Sequence, residues 1–198
     1  MAPPTLRLAT AADADGVAAI YAPVVATTAI SFEETPPASE EMARRIRATL
    51  ETHPWLVCEE ADQILGYAYA TSHRARAAYR WSVETTVYVA EAARRRGVGR
   101  GLYLSLFAVL ELQGYVSAYA GITQPNEASV ALHEGVGFER LGTYRDVGFK
   151  LGAWRDVGWW QRHLGPPPDE PRSPQRLDEA RRLPGWEAAL AAGLAALG

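Results

Sequence analysis

Eight consecutive residues, Arg94-Arg95-Arg96-Gly97-Val98-Gly99-Arg100-Gly101, bring four cations and three glycines together. Glycine lets the backbone come close to a ligand, and at a helix start the unpaired amides, helped by the helix dipole, make an anion site. A diphosphate suits such a site. No Gly-Lys-Ser/Thr follows, so this is not a nucleoside-triphosphate loop, and the glycine spacing differs from a dinucleotide fingerprint. Read alone, the segment is equally a glycine-softened turn carrying solvated arginines. Glu84 is a carboxylate inside the β-branched stretch Val83-Glu-Thr-Thr-Val-Tyr-Val-Ala90. It is either a general base made useful by burial, or an outward acid paired with Arg74, Arg76 or Arg80. His133 in Ala131-Leu-His-Glu134 is either a packed imidazole or an acid/base group. Asn126 and Ser129, after Pro125, read as helix caps. Cys58, the only cysteine, follows Trp55-Leu-Val and reads as a small core residue.

The elements that must position these groups follow from periodicity. Thr5 to Ala9 alternates like a strand, and Thr10-Ala-Ala-Asp13 caps a helix running to about Val25. Ile30 to Pro37 is loop, and a helix starts at Ser39 and ends before Pro54, with Met42, Ile46 and Leu50 on one face. Trp55 to Glu60 and Ile64 to Thr71 form a hairpin turning at Ala61-Asp-Gln63. Ser72 to Trp81 is loop or partial helix. Val83 to Ala90 is the clearest strand, and Val98 to Gln113 places Val98, Leu102, Leu106, Val109 and Leu112 on one helical stripe closed by Gly114. A strand over 116–122, a helix over 126–136 and two aromatic strands within 138–164 complete an order that favours an α/β fold with a mixed, mostly antiparallel sheet flanked by helices.

Composition narrows the partners. The 198 residues suit one domain plus a tail, 48% are hydrophobic, and the net charge of -3 argues against a nucleic-acid binder. A lone cysteine allows neither a disulfide framework nor a thiolate-rich zinc site, and it fits a cytoplasmic protein without metal. No apolar run reaches membrane-spanning length, and Met1 to Thr5 lacks the pattern of an export signal. The twenty basic residues are nineteen Arg and one Lys, Lys150, so a single arginine carries little information. After Leu164 the prolines at 166, 167, 168, 171 and 174 point to a linker, leaving a domain over 1–164 and a tail over 165–198 with a possible short helix from Trp186 to Leu197.

Arg94-x-x-Gly97-x-Gly99 after such a strand resembles the coenzyme A diphosphate loop of the GNAT superfamily of N-acetyltransferases. Trp81-Ser-Val-Glu-Thr-Thr-Val-Tyr-Val89, Pro125-Asn-Glu-Ala-Ser-Val-Ala-Leu-His-Glu134, Gly137-Phe138 and Gly152-Ala-Trp-Arg-Asp-Val-Gly-Trp-Trp-Gln-Arg162 are similar to its phosphinothricin N-acetyltransferase group. The likeness covers roughly residues 5 to 164. It implies the GNAT fold, acetyl-CoA as co-substrate, Glu84 as general base with His133 in a supporting role, and direct transfer in a ternary complex. Coenzyme contacts are implied at Val87, Tyr88 and Val89, through the loop residues Arg94, Arg95, Arg96, Gly97, Val98, Gly99 and Arg100, and at Asn126 and Ser129. Tyr88 and Tyr144 compete as proton donors to the departing thiolate.

For the acceptor, the resemblance implies a small amino-acid-like molecule held by Arg74, Arg76 and Tyr79, with Phe32, Glu33 and Thr86 shaping the pocket. Planar guanidinium groups suit carboxylate or phosphinate oxygens. Thr123-Gln124 stand where the group commonly has Gly-Leu, and Arg74 where Lys is usual, so the reaction class is firmer than the acceptor. Methionine sulfoximine and methionine sulfone are as credible as phosphinothricin. Many relatives are homodimers, and Trp154, Trp159 and Trp160 are candidate interface residues. A protein or peptide N-acetyltransferase and a non-catalytic coenzyme-binding module are the competing readings.

Overall fold

β-Branched and aromatic residues place strands at Thr5–Leu8 (β1), Trp55–Glu60 (β2), Gln63–Ser72 (β3), Ser82–Val89 (β4), Ser117–Gln124 (β5), Glu139–Lys150 (β6) and Ala153–His163 (β7). Helices occupy Ala14–Thr27 (α1), Ser39–Leu50 (α2), Val98–Gln113 (α3), Glu127–Gly135 (α4), Leu177–Ala180 (α5) and Trp186–Ala191 (α6). The structure is a computed structural model and describes residues 3–198. One sheet has the order β1-β2-β3-β4-β5-β7-β6, and only β4 and β5 pair in parallel. This is the mixed, mostly antiparallel sheet expected. The β2–β3 turn is tighter than expected, because Ala61 and Asp62 both take positive φ, 48° and 63°, and two such residues close a hairpin. Gln63 therefore opens β3.

Each sheet face is covered. On one, α3 lays Leu102, Leu106 and Leu110 against Val83, Ala118 and Ala120. On the other, α1 and α2 bury Val17, Val25, Met42 and Ile46 against Trp55, Val57 and Tyr67. Cys58 is fully buried in the first core, where desolvation pushes its thiol up to about 11, as befits an inert core residue.

Residues after Leu164 return to the body. The proline-rich stretch has no helix or strand, as its composition requires, yet it is tied down at named points. Trp81 Nε1 donates to Arg172 O at 2.7 Å, and Gln113 and Gln175 exchange bonds of 2.8 and 2.9 Å. Beyond it, Leu177, Ala180 and Trp186 pack on Val109 of α3. The four-residue helix α5, with its first turn acidic, was not anticipated; its burial against α3 compensates for a length that is marginal in isolation. The tail is thus a strap along α3. Because Trp186 is only 6% exposed, Trp186→Ala is expected to cost about 3 to 5 kcal/mol in urea unfolding. A loss under about 1 kcal/mol would show that the strap adds little to the fold.

Candidate active site

β4 and β5 pair only at Ser82 with Ser117, Val83 with Ala118 and Glu84 with Tyr119. β4 stays paired with β3 as far as Val89, and β5 with β7 as far as Gln124, so the two strands part after Glu84. At the fork the Thr85 hydroxyl donates to Tyr119 O at 3.3 Å. From there to Val89 one edge of β4 lacks a strand partner, leaving backbone groups to be satisfied by something else. Near the end of that edge a groove of ≈ 900 Å³ passes Pro23, Val24 and Thr27 of α1 together with Val89, Ala90 and Arg94.

The edge leads into the glycine loop. Arg95 and Gly97 have φ of 62° and 75°, the left-handed conformation that turns successive N–H groups to one side. Among the described residues the amides from Arg95 to Arg100 make no backbone hydrogen bond, and α3 begins within that run. Such a row of free donors at a helix start fits a diphosphate. The arginine side chains divide. Arg96 pairs with Glu60 at 2.8 Å and Arg100 donates to Gly135 O at 2.8 Å, so both offer backbone rather than charge to a ligand. Arg94 and Arg95 are exposed. Val98 is buried in the core, and a Cβ on Gly99 would come within 3.0 Å of Leu132, so that glycine also lets α4 close on α3.

Strand alternation puts Glu84, Thr86 and Tyr88 on the face opposite α3. Register sets Glu84 beside Thr71 and Tyr119, Thr86 beside Tyr69, and Tyr88 beside Tyr67. Tyr88 is enclosed by Tyr21 at 5.0 Å and Tyr67 at 5.5 Å, and burial raises its phenol well above the ordinary range. Glu84 pairs with none of the expected arginines. Its Oε1 lies 3.0 Å from Nδ1 of His73, whose ring stacks on Tyr119 at 4.3 Å and meets Tyr79 and Trp159 edge-on at 6.1 and 6.3 Å. The Trp159 indole N–H is buried without a partner among the described residues, and Tyr144 lies 5.7 Å from that ring, half exposed. A cavity of ≈ 260 Å³ opens on the same face, lined by Tyr21, Arg45, Trp55, Tyr67, Tyr69 and Thr71.

His73 was missed in the sequence. The signal for it was register: with Thr71 opposite Glu84, and His73 N bonded to Ser82 O at 3.3 Å, the imidazole reaches back to the carboxylate. Arg74 and Arg76 are exposed on this connection, form no ion pair among the described residues and line neither cavity. Phe32 and Thr123 line neither cavity and instead join the loop before α2 to the sheet. The Phe32 ring lies over Gly148, where a Cβ would be 2.2 Å away, and Thr123 Oγ1 donates to Ile30 O at 3.5 Å. Glu33 is instead a structural brace. Arg45 grips it at 2.6 and 3.0 Å and holds its carboxyl below the usual range, and Tyr21 donates to it at 3.0 Å.

His133 does not share the face of Glu84. It is 5% exposed on α4, on the α3 side of the sheet, with Nδ1 2.7 Å from Ser129 O and Nε2 2.7 Å from the Tyr103 hydroxyl. A carbonyl only accepts, so Nδ1 carries the hydrogen and Nε2 accepts from Tyr103. Both ring nitrogens are occupied within the protein, so neither is offered to the face of Glu84. Asn126 Oδ1 accepts from Ser129 N at 3.2 Å, so Asn126 caps α4, and the Ser129 hydroxyl lies 3.3 Å from His133. Trp160 is no interface residue: it is 1% exposed and donates to Glu134 at 3.1 Å. No group of side chains suited to a metal ion occurs among the described residues.

The family model of the GNAT acetyltransferase domain matches residues 6–159. This chain belongs to the GNAT acetyltransferase family. It is 40% identical over 173 residues to a phosphinothricin N-acetyltransferase of Streptomyces viridochromogenes, covering 87% of this chain and 94% of the relative. To an L-methionine sulfoximine/L-methionine sulfone acetyltransferase of Pseudomonas aeruginosa it is 35% identical, covering 82% of this chain and 95% of that one. A phosphinothricin acetyltransferase of Sinorhizobium meliloti, solved with acetyl-CoA, superposes with a TM-score of 0.78 at 37% identity, covering 83% and 90% of the two chains. The chain is accordingly an acetyl-CoA-dependent acetyltransferase of the GNAT fold.

Desolvation lowers the affinity of His133 for a proton, more than its bond to Ser129 raises it. The unfolded chain then takes up a proton near pH ~6.5 that the folded chain resists, so stability is full above that pH and falls as pH drops below it. His53, buried and shifted the same way, adds to the slope. Urea unfolding between about pH 7.5 and about pH 5 should show this decline. In His133→Leu the slope should flatten although the variant is less stable throughout, and an undiminished slope would mean another group is responsible.

Proposed function

We propose that this enzyme moves the acetyl group of acetyl-CoA onto the amino group of a small amino-acid-like acceptor by direct transfer in a ternary complex. The observation that carries the reading is the unpaired edge of β4, which runs from the Glu84–His73 pair at one end to the free amides of the glycine loop at the other. Acetyl-CoA supplies an activated acetyl thioester. The backbone from Val87 to Val89 holds its pantetheine arm, and an amide of that edge offsets negative charge growing on the reacting carbonyl oxygen. Arg94 and Arg95 add charge beside the diphosphate.

Glu84 accepts the proton that an acceptor ammonium must lose before it can attack, and His73, held between Tyr119, Tyr79 and Trp159, fixes one of its oxygens. The unpaired Trp159 N–H and the exposed Arg74 and Arg76 suit the carboxylate of the acceptor, and a ≈ 260 Å³ cavity suits a single amino acid rather than a polypeptide. Phosphinothricin, methionine sulfoximine and methionine sulfone, the molecules in the relatives' names, are the first acceptors to offer. Residues 1–164 make the catalytic domain. Phe149, Leu151 and Trp154, each more than half exposed at the β6–β7 tip, support assembly as a homodimer, and the buried free thiol supports a cytoplasmic setting.

Thiol release with a panel of amino acids and analogues tests the reaction and the acceptor class together. Glu84→Gln should lower kcat by about 10² to 10⁴ while coenzyme A still binds, and near-normal turnover would remove Glu84 from the chemistry. His73→Phe keeps the stacking but loses the bond to Glu84, and should lower kcat about tenfold or more with little change in coenzyme binding. His73→Asn, which restores a donor close to Nδ1, should recover part of the loss. Equal rates in the two variants would mean the imidazole does not orient the base.

A further inference from the structure

The strap lies beyond the matched region, which ends at residue 159, and it runs along α3 toward the glycine loop. Its contacts follow one another down the helix. Ser105 Oγ donates to Leu190 O at 2.7 Å and accepts from Gly193 N at 3.0 Å. Gly193 then meets the backbone of Gly101 so closely that a Cβ on Gly193 would lie 1.8 Å from Gly101 O. Ala196 O sits against Gly97, where a Cβ would lie 1.7 Å away, and Gly198 N donates to Arg96 O at 3.1 Å. Ser105, Gly101 and Gly97 are four apart, so they form a single face of α3 whose small side chains admit this contact.

The last bond acts on the proposed diphosphate site. In an uninterrupted helix Arg96 O would accept from Arg100 N, but here it accepts from Gly198 and the Arg100 amide has no backbone partner among the described residues. A trans peptide is planar, with its C=O and N–H pointing opposite ways. Holding Arg96 O from the strap side therefore turns the Gly97 N–H away from the strap, toward the open side of the loop. The Ala196 carbonyl against Gly97 Cα keeps that residue in a left-handed conformation that a side chain there would both strain and obstruct.

We infer that residues Gly193–Gly198 are a positioning element for the co-substrate: by anchoring the Arg96–Gly97 peptide they preorganise the amides that bind its diphosphate. The inference rests on the reading of that loop as the diphosphate site. It is separable from stability through the Gly198 N–H, because Trp186, Leu177 and Ala180 dock the strap on Val109 and Leu197 packs on the main core without that bond.

Gly198→Pro removes the one N–H, and Leu197, extended at φ -81° and ψ 133°, already has the conformation a following proline requires. Calorimetric titration of the full chain with coenzyme A should show affinity about three- to tenfold weaker in Gly198→Pro. Leu197→Ala, which loosens the same end without adding bulk, should move it in the same direction; thermal melting should be nearly unchanged in Gly198→Pro and lower in Leu197→Ala, whose side chain packs on the main core. The acceptor KM and the KM for acetyl-pantetheine, which has no diphosphate, should not change. Unaltered coenzyme A affinity in both variants, or equal weakening toward acetyl-pantetheine, would overturn the inference. Failure of the unsubstituted protein to bind coenzyme A would instead remove the diphosphate site itself.

Discussion

The parting of β4 from β5 after Glu84 is the constraint on which the rest depends. A strand edge inside a domain leaves amides and carbonyls that must find partners, and each one buried without a partner costs about 1 to 3 kcal/mol. Both strands are held open from outside, β4 by β3 and β5 by β7, so the gap cannot close by sliding. Thr85 bridges only the first step, through its hydroxyl to Tyr119 O. A ligand whose own amides lie along the edge satisfies what remains, and the pantetheine arm of acetyl-CoA has that chemistry. Glu84, the last residue of β4 paired with β5, consequently stands at the fork where that edge opens.

Charge is distributed around this gap in a way that composition concealed. Arg96 and Arg100 flank the glycine loop, yet one braces the β2–β3 hairpin through Glu60 and the other closes the end of α4 through Gly135. Glu33 and Arg45 tie the loop before α2 to that helix, and Lys150 reaches from β6 to Val25 O and Ser31 O at the end of α1 and in the same loop. These contacts set the walls of the site. The groups left for ligands are backbone amides, the exposed Arg94, Arg95, Arg74 and Arg76, one carboxylate, and the indole N–H groups of Trp55 and Trp159, which have no partner among the described residues. A net charge of -3 is compatible with binding a polyanion because the donors that matter are mostly peptide groups.

Elements with a strong local signal were legible. Val98 to Gln113 is bounded as its periodicity requires, with Gly97 and Gly114 both left-handed at its ends, and Ser39 opens α2 as its acidic first turn suggests. The free-amide loop could be read because glycine spacing between a strand and a helix is itself a local pattern. What depended on register could not be read so directly. His73 joins Glu84 across a hairpin whose turn length had to be known first, and Arg74, Arg76 and Arg80 were nearer to hand as partners. His133 shows the opposite failure, since a helical imidazole gives no local sign of whether its two nitrogens are already taken by Tyr103 and Ser129.

The glycines of the loop face two neighbours at once. Gly97 lets a bare backbone approach a phosphate, and Gly101 belongs to the same cluster. In the fold both also face the strap, where Ala196 and Gly193 leave no room for a Cβ, and Gly99 faces Leu132. A substitution at any of the three would therefore disturb packing as well as ligand binding, and loss of activity in such a variant could not be assigned to the phosphate contact alone. The peptide groups themselves are the cleaner probe. Changing what holds Arg96 O alters the direction of a donor without filling the space a ligand needs, and this separates the geometry of the site from the room inside it.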